Sequence, residues 1–186
     1  DVSYHGVNYV EALGAAAYIA RARVVPLRNM GAAISPFNSF MILQGIETLP
    51  LRMDRICENT QQLAKFLLQH PQVAWVEYAG LEGSPSKALV DRYMSGKASG
   101  ILSFGVKGGR EAGAAFLDRL QLITRLVNIG DAKSLATHPA STTHRQLNDE
   151  ELKKAGVSAD MVRLSIGIEH IEDLIADVTQ ALEPQA

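Results

Sequence analysis

Cysteine is nearly absent from this sequence, and neither sign of charge is in excess. The single thiol, Cys57, cannot close an intrachain disulfide and fits a reducing compartment, so we expect the cytoplasm. No apolar run reaches the roughly 20 residues that a transmembrane helix needs. Eighteen basic and twenty acidic residues give a net charge of -2, which argues against a nucleic-acid-binding protein.

What the sequence does contain is the composition of a globular protein. Its 186 residues are 47% hydrophobic and 20% charged, which is enough for one substantial core. The chain begins on Asp1-Val-Ser-Tyr without an initiator methionine. From this start we expect a fragment or a processed product.

The hydrophobic pattern changes between helical and strand periods along the chain. Residues 1–14 are predicted to be irregular. Pro26 predicts a break near Arg23 in a helix over 15–30, and Ser35-Pro36 predicts the start of the next. Further helices are predicted over 48–69, 87–93, 110–120 and 170–182, and strands over 73–78, 100–106, 123–127 and 162–166. Strands interleaved with helices indicate an α/β sandwich with helices on one face of a small sheet.

Three features could carry chemistry, but each has a simpler structural interpretation. Cys57 lies in the apolar stripe of the helix over 48–69, so we interpret it as a core residue. The glycine-rich segment 105–109 lacks the spacing of a phosphate-binding loop and is interpreted as a turn. The spacing of His138, His144 and His170 matches no common zinc pattern, so a metal site is not expected.

The most informative stretch runs from Val127 to Glu169. In Met161-Val-Arg-Leu-Ser-Ile166, apolar residues alternate with Arg163 and Ser165, which predicts a half-buried strand with Arg163 on the face away from the core. A guanidinium on a rigid strand is suited to paired hydrogen bonds with a carboxylate. The alternatives are an edge-strand arginine in solvent and a structural ion pair.

Several motifs of this chain resemble the PLP-dependent enzymes of cysteine and methionine metabolism, the family of cystathionine γ-synthase, methionine γ-lyase and O-acetylhomoserine sulfhydrylase. They are Gly31-Ala-Ala-Ile-Ser-Pro-Phe-Asn38, Gly45-Ile-Glu-Thr-Leu-Pro-Leu-Arg-Met53, and the segment Asn128-Ile-Gly-Asp131 through His144, which looks most like the sulfhydrylase branch. The family's PLP-binding lysine lies in a Ser-x-Thr-Lys context that these residues lack. The resemblance therefore implies the C-terminal portion of a longer enzyme.

The resemblance also implies a fold and a division of the chain. The fold would be the C-terminal small α/β domain of the aspartate-aminotransferase-like fold, with a small, mostly antiparallel sheet preceded by a long connecting helix. Residues 1–60 would end the large PLP-binding domain, and residues 61–186 would form the small domain.

The resemblance assigns a substrate site to three residues. Arg163 falls on the family's arginine that pairs with the substrate α-carboxylate, and Asn128 falls on a residue, often serine in the lyases, that touches the same group. Thr143 falls on a threonine that helps to hold the arginine. No catalytic residue is expected in this chain.

The implied activity is the replacement of the γ-substituent of an O-acylated homoserine by sulfide or a thiol, giving homocysteine or methionine. The cofactor would be pyridoxal 5'-phosphate, bound mainly by residues outside this chain. The partners would be the amino-acid substrate, the rest of the enzyme and other subunits of a homotetramer. The alternatives are a methionine γ-lyase or cystathionine γ-synthase type of enzyme, and a non-catalytic α/β interaction domain.

The resemblance and the composition together predict incomplete packing. Tyr4, Tyr9, Tyr18, Phe37, Phe40 and Met41 lack an obvious local partner and should form an exposed apolar patch. The helix from Pro36, with its two phenylalanines and Met41, is a candidate subunit interface.

Overall fold

The structure, a computed structural model, describes residues 1–183 of the chain. By its internal contacts the chain divides into two compact units, Asp1–Thr48 and Leu49–Ala186. The predicted boundary near residue 60 falls inside a helix of the second unit. The assignment of residues 1–60 to a larger domain stays a prediction.

The first unit is helical. It contains α1 (Tyr9–Leu13), a 3-10 turn (Gly14–Ala16), α2 (Ala17–Ala22), a π-helical turn (Arg23–Leu27), α3 (Arg28–Met30) and α4 (Pro36–Glu47). The predicted break near Arg23 is confirmed, because Pro26 cannot donate a helical hydrogen bond and lies inside the π turn. The prediction that residues 1–14 are irregular is wrong at α1, where the Asn8 side chain caps the backbone N–H of Glu11.

The predicted apolar patch is present in part of the first unit. Tyr18 is 83% exposed, Phe37 70%, and Phe40 and Met41 are each 55% exposed. Tyr9 is a correction, because it is buried and stacks on Tyr4 with ring centroids 6.2 Å apart. The α4 helix begins as predicted, with Ser35 Oγ accepting from the Asn38 N–H at 3.1 Å.

The second unit is an α/β structure with a five-stranded sheet. Its helices are α5 (Leu49–Gln69), α6 (Lys87–Tyr93), α7 (Gly109–Arg119), α8 (Asp149–Lys154) and α9 (Ile171–Leu182). Its strands are β1 (Val73–Glu77), β2 (Ile101–Val106), β3 (Thr124–Arg125), β4 (Leu135–Thr137) and β5 (Met161–Ser165). The strand order is β1-β2-β5-β4-β3, and every pair is antiparallel except β3 with β4. The mostly antiparallel sheet is thereby confirmed.

The core lies between the sheet and three helices. Leu63 and Leu67 of α5, Phe116 of α7, and Leu174 and Val178 of α9 pack against buried side chains from β2, β4 and β5. The rings of Phe104 and Phe116 meet edge to face at 5.5 Å. Cys57 is buried, as predicted, and donates to the Ala98 carbonyl oxygen. None of the helices described between residues 1 and 183 is long and apolar enough to cross a membrane.

The sequence did not predict β4 or α8. The strand β4 has only three residues, too few to display a period. A signal for α8 was present, since Asn148 and Glu151 form a capping box in which each side chain accepts from the other's backbone N–H. The predicted strand over 123–127 is shorter, at Thr124–Arg125.

A buried carboxylate fixes the chain where it enters β3. Asp177 of α9 accepts hydrogen bonds from the backbone N–H groups of Gln121, Leu122 and Ile123, at 2.8, 3.0 and 2.9 Å. Asp177 is 6% exposed, so it replaces water for three otherwise unpaired donors.

A buried histidine joins α7 to the loop before β5. The Nε2 atom of His138 lies 2.9 Å from the Ala159 carbonyl oxygen, which can only accept, so Nε2 carries the proton and Nδ1 accepts from the Ser141 hydroxyl at 2.8 Å. A Cβ at Gly113 would lie 2.5 Å from this ring, so α7 needs glycine there. Burial lowers the pKa of His138, because the charged imidazolium loses its hydration.

Acid should therefore destabilise the fold through His138. Below the ordinary pKa of about 6.5 the unfolded chain takes up the proton before the folded chain does, so the free energy of unfolding should fall as the pH drops. The slope for one proton is at most about 1.4 kcal/mol per pH unit. Burial also lowers the pKa of His70, which would add to the same pH dependence. The His70→Gln variant is therefore the reference protein against which the effect of His138 is measured.

Denaturant unfolding between about pH 7.5 and 5 tests this pH dependence. Adding His138→Gln to His70→Gln should flatten the pH dependence of the unfolding free energy. An equal slope in the single and double variants would contradict the role of His138.

Candidate functional site

Arg163 lies on the central strand of the sheet. In β5, Val162 and Leu164 are fully buried in the core, and Arg163 is half-buried on the opposite face. The predicted alternation is confirmed. The reading of Arg163 as an edge-strand residue is wrong, because β2 and β4 flank β5 on both sides. The Cα register pairs Arg163 with Ser103 on β2 and Thr137 on β4.

The guanidinium of Arg163 has no hydrogen-bond or ion-pair partner among residues 1–183. The alternative that Arg163 forms a structural ion pair is therefore not supported, because no carboxylate in that part of the chain pairs with it. A half-buried cation without a protein counter-ion has lost hydration and has all five N–H donors available. The position is thus suited to an anion with planar geometry.

Hydroxyl groups surround the strand position of Arg163. The Thr137 hydroxyl lies 3.2 Å from the Thr142 hydroxyl, which donates to the His138 carbonyl oxygen at 2.8 Å. Thr143, the residue predicted to hold the arginine, is exposed, and its hydroxyl lies 2.8 Å from Nδ1 of His144. No hydrogen bond joins Thr143 to Arg163 in the described chain, so its role stays a prediction.

Asn128 lies in the loop between β3 and β4. Its side chain is exposed, and Oδ1 accepts from the Ile129 N–H at 2.9 Å. Two residues further on, the Gly130 N–H donates to the Ser165 hydroxyl at 3.2 Å. Since Ser165 shares a strand face with Arg163, this contact joins the Asn128 loop to the face that carries the guanidinium.

Of the two residues predicted to lie beside Arg163, the structure connects Asn128 to its strand more directly than Thr143. The loop of Asn128 is bonded to the strand of Arg163. The neighbour of Thr143, Thr142, instead lies beside Thr137 on the adjacent strand β4. Sequence reasoning missed Thr137 and Thr142. Their signal was weak, because β4 is too short for a period and a run of hydroxyl residues does not say which one faces the strand.

The chemistry available here is anion binding by hydrogen bonds. A guanidinium, an amide and several hydroxyls are donors for a carboxylate. Among residues 1–183 no group of three or more His, Cys, Asp or Glu side chains could hold a metal ion. These donors fit the carboxylate of an amino acid.

Known proteins with a similar sequence are enzymes of sulfur amino-acid metabolism. Over 179 residues the chain is 52% identical to O-acetyl-L-homoserine sulfhydrylase 1 of Thermus thermophilus, covering 96% of this chain and 42% of that protein. It is 47% identical over 180 residues to a homocysteine synthase of Schizosaccharomyces pombe, with 97% and 42% covered. The chain spans less than half the length of these curated relatives.

A solved structure agrees with these relatives. It is described as an O-acetylhomoserine (thiol)-lyase of Campylobacter jejuni with N'-pyridoxyl-lysine-5'-monophosphate, and it superposes with a TM-score of 0.87 at 42% identity, covering 99% of this chain and 44% of that one. The family model described as "Cys/Met metabolism PLP-dependent enzyme" matches residues 7–183. This chain therefore belongs to the PLP-dependent enzymes of cysteine and methionine metabolism.

Proposed function

We propose that this chain is the C-terminal part of a PLP-dependent O-acetylhomoserine sulfhydrylase, and that Arg163 and Asn128 bind the α-carboxylate of the substrate. The observation that carries the proposal is the half-buried guanidinium of Arg163, which has no partner in the described chain. The names of the relatives support the sulfhydrylase over a methionine γ-lyase or a non-catalytic domain.

The strand makes Arg163 suitable for this role. Its backbone is hydrogen-bonded on both sides, and its neighbours Val162 and Leu164 are locked in the core, so the side chain projects from a fixed point. A planar guanidinium on a fixed support can bind a carboxylate through two parallel hydrogen bonds. Those bonds determine the orientation of the amino acid as well as its affinity.

The residues of this chain contribute binding and orientation. PLP, when bound, supplies the electron sink that lets a γ-substituent leave and a sulfur nucleophile add. The proposed roles here are that Arg163 pairs with the carboxylate, Asn128 donates a further hydrogen bond to it, and Thr143 supports the arginine from the neighbouring loop. The Schiff-base lysine and the phosphate-binding residues belong to the rest of the enzyme in this proposal.

The domain and assembly proposals follow the same resemblance. The second unit would be the C-terminal small domain of the aspartate-aminotransferase-like fold, with α5 as its connecting helix, in a cytoplasmic homotetramer. The exposed α4 helix supports the assembly proposal. Apolar residues occupy all sides of α4, and a helix of that composition is normally covered by protein.

Arg163→Lys in the complete enzyme should lower kcat/KM for O-acetyl-L-homoserine roughly tenfold to a hundredfold. The variant keeps the charge and loses the planar fork, and a charge-assisted hydrogen bond at such a site contributes about 1.5 to 3 kcal/mol. The visible absorbance of bound PLP should be unchanged. Steady-state kinetics and an absorbance spectrum make both measurements.

The matched control for this variant is Arg125→Lys on β3. Arg125 is exposed and pairs with Asp118 at 2.8 Å, an interaction that contributes at most about 1 kcal/mol. Its kcat/KM should match the wild type. Wild-type kcat/KM in the Arg163→Lys enzyme would rule out the carboxylate role.

Thr143→Val should give a milder defect, roughly twofold to tenfold in kcat/KM, because one neutral hydrogen bond contributes about 0.5 to 1.5 kcal/mol. Thr142→Val is the informative comparison, since the Thr142 hydroxyl lies beside Thr137 in the structure. A loss in the Thr142 variant with none in the Thr143 variant would reject the predicted role of Thr143.

A charge on α4 should break the proposed assembly. Phe40→Glu places a carboxylate in the apolar helix and should shift the complete enzyme to smaller species in sedimentation velocity. Gln62→Glu adds the same charge at an exposed polar residue of α5, outside the apolar helix, and is the control. A wild-type enzyme that sediments as an active monomer would contradict the tetramer.

A further inference from the structure

The loop between β3 and β4 is bonded to the chain that follows Arg163 at several points. Besides the contact of Gly130 with Ser165, the Ala132 carbonyl oxygen accepts from the Ile168 N–H at 2.9 Å. The Asp131 carboxylate accepts from the Lys133 N–H at 3.0 Å, which forms a local turn. The loop that contains Asn128 thus lies against residues 165–169.

The strongest of these bonds involve Glu169 and Ser134. The Glu169 carboxylate accepts from the Ser134 backbone N–H and, at 2.9 Å, from the Ser134 hydroxyl. The same hydroxyl accepts from the Gly167 N–H at 2.8 Å. Ser134 is fully buried, so these charge-assisted bonds replace water that cannot reach it.

Two further residues leave this arrangement little freedom. The amide of Asn59, on α5, donates to the carbonyl oxygens of Gly167 and Glu169 at 3.1 and 2.8 Å. A Cβ at Gly167 would lie 2.3 Å from the Ala132 carbonyl oxygen, so only glycine allows the loop to approach this closely. The end of β5 and the loop are therefore joined by hydrogen bonds and by close packing at Gly167.

We propose that Glu169, through Ser134, is a positioning residue that holds the Asn128 loop in register with Arg163, so that both meet the same substrate carboxylate. The inference rests on the proposed function. Glu169 itself does not touch the substrate. Its carboxylate fixes the C-terminal end of the loop, while the hydroxyl of Ser165 fixes the middle.

The test compares two substrates of the complete enzyme, O-acetyl-L-homoserine and its α-methyl ester, which lacks the carboxylate charge. The ratio of their kcat/KM values measures recognition of the carboxylate. Glu169→Ala should lower this ratio about tenfold, since misplacement by about 1 Å is enough for losses of this size. KM for O-acetyl-L-homoserine should rise, and KM for sulfide should not.

If Glu169→Ala fails to fold, two smaller substitutions in the same network still test the inference. Glu169→Gln and Ser134→Ala each remove part of the network, and each should lower the ratio about threefold. The matched control is Asp177→Ala. It also deletes a carboxylate that accepts from backbone N–H groups beside β3, but Asp177 does not contact the Asn128 loop. This control should leave the substrate ratio at the wild-type value.

The outcomes distinguish a failure of the inference about Glu169 from a failure of the proposed carboxylate site. If Arg163→Lys lowers the ratio but the Glu169 and Ser134 variants lower both substrates equally, Glu169 is only structural and the inference is wrong, while the proposed function stands. If Arg163→Lys leaves the ratio unchanged, the proposed carboxylate site fails and the inference fails with it.

Discussion

A half-buried arginine without a protein counter-ion is the constraint on which the rest of this structure depends. A cation that has lost hydration costs free energy unless another group compensates it, and among the described residues no carboxylate does so for Arg163. The packing of the hydrophobic core holds Arg163 in this position. Val162 and Leu164 are fully buried on the other face of the same strand, so turning Arg163 into solvent would expose both. The apolar face of β5 thus holds in place a half-buried guanidinium that makes no hydrogen bond or ion pair among residues 1–183.

The same constraint explains which parts of the fold the sequence could predict. The alternation around Arg163 is local, and so are the helix starts at Ser35 and the break at Pro26, and each was predicted correctly. The bonds of Ser134 to Glu169 and of Asn59 to Gly167 join residues 35 and 108 positions apart. No period or cap encodes such pairs, so the network that supports the candidate site could be found only in three dimensions.

The two units differ in how completely they bury their apolar residues. In the second unit, a single cluster from α5, α7, α9 and the sheet encloses large side chains such as Phe104, Phe116 and Leu174. In the first, α4 buries none of its residues. Because a helix with apolar residues on all sides needs a surrounding protein, this contrast agrees with a chain that spans less than half the length of its relatives. The three residues of the proposed carboxylate site, Asn128, Thr143 and Arg163, all lie in the second unit.

Asparagine at position 128, where the lyases often have serine, agrees with the proposed site. The side-chain oxygen of Asn128 already accepts from the Ile129 N–H, an Asx contact that orients the amide. Its Nδ2 atom has no hydrogen-bond partner among residues 1–183, so two N–H donors remain for a ligand. A serine hydroxyl would offer one donor and could rotate freely. The loop that Glu169 and Ser165 hold therefore presents a donor that is oriented before any ligand arrives, which lowers the entropy lost on binding.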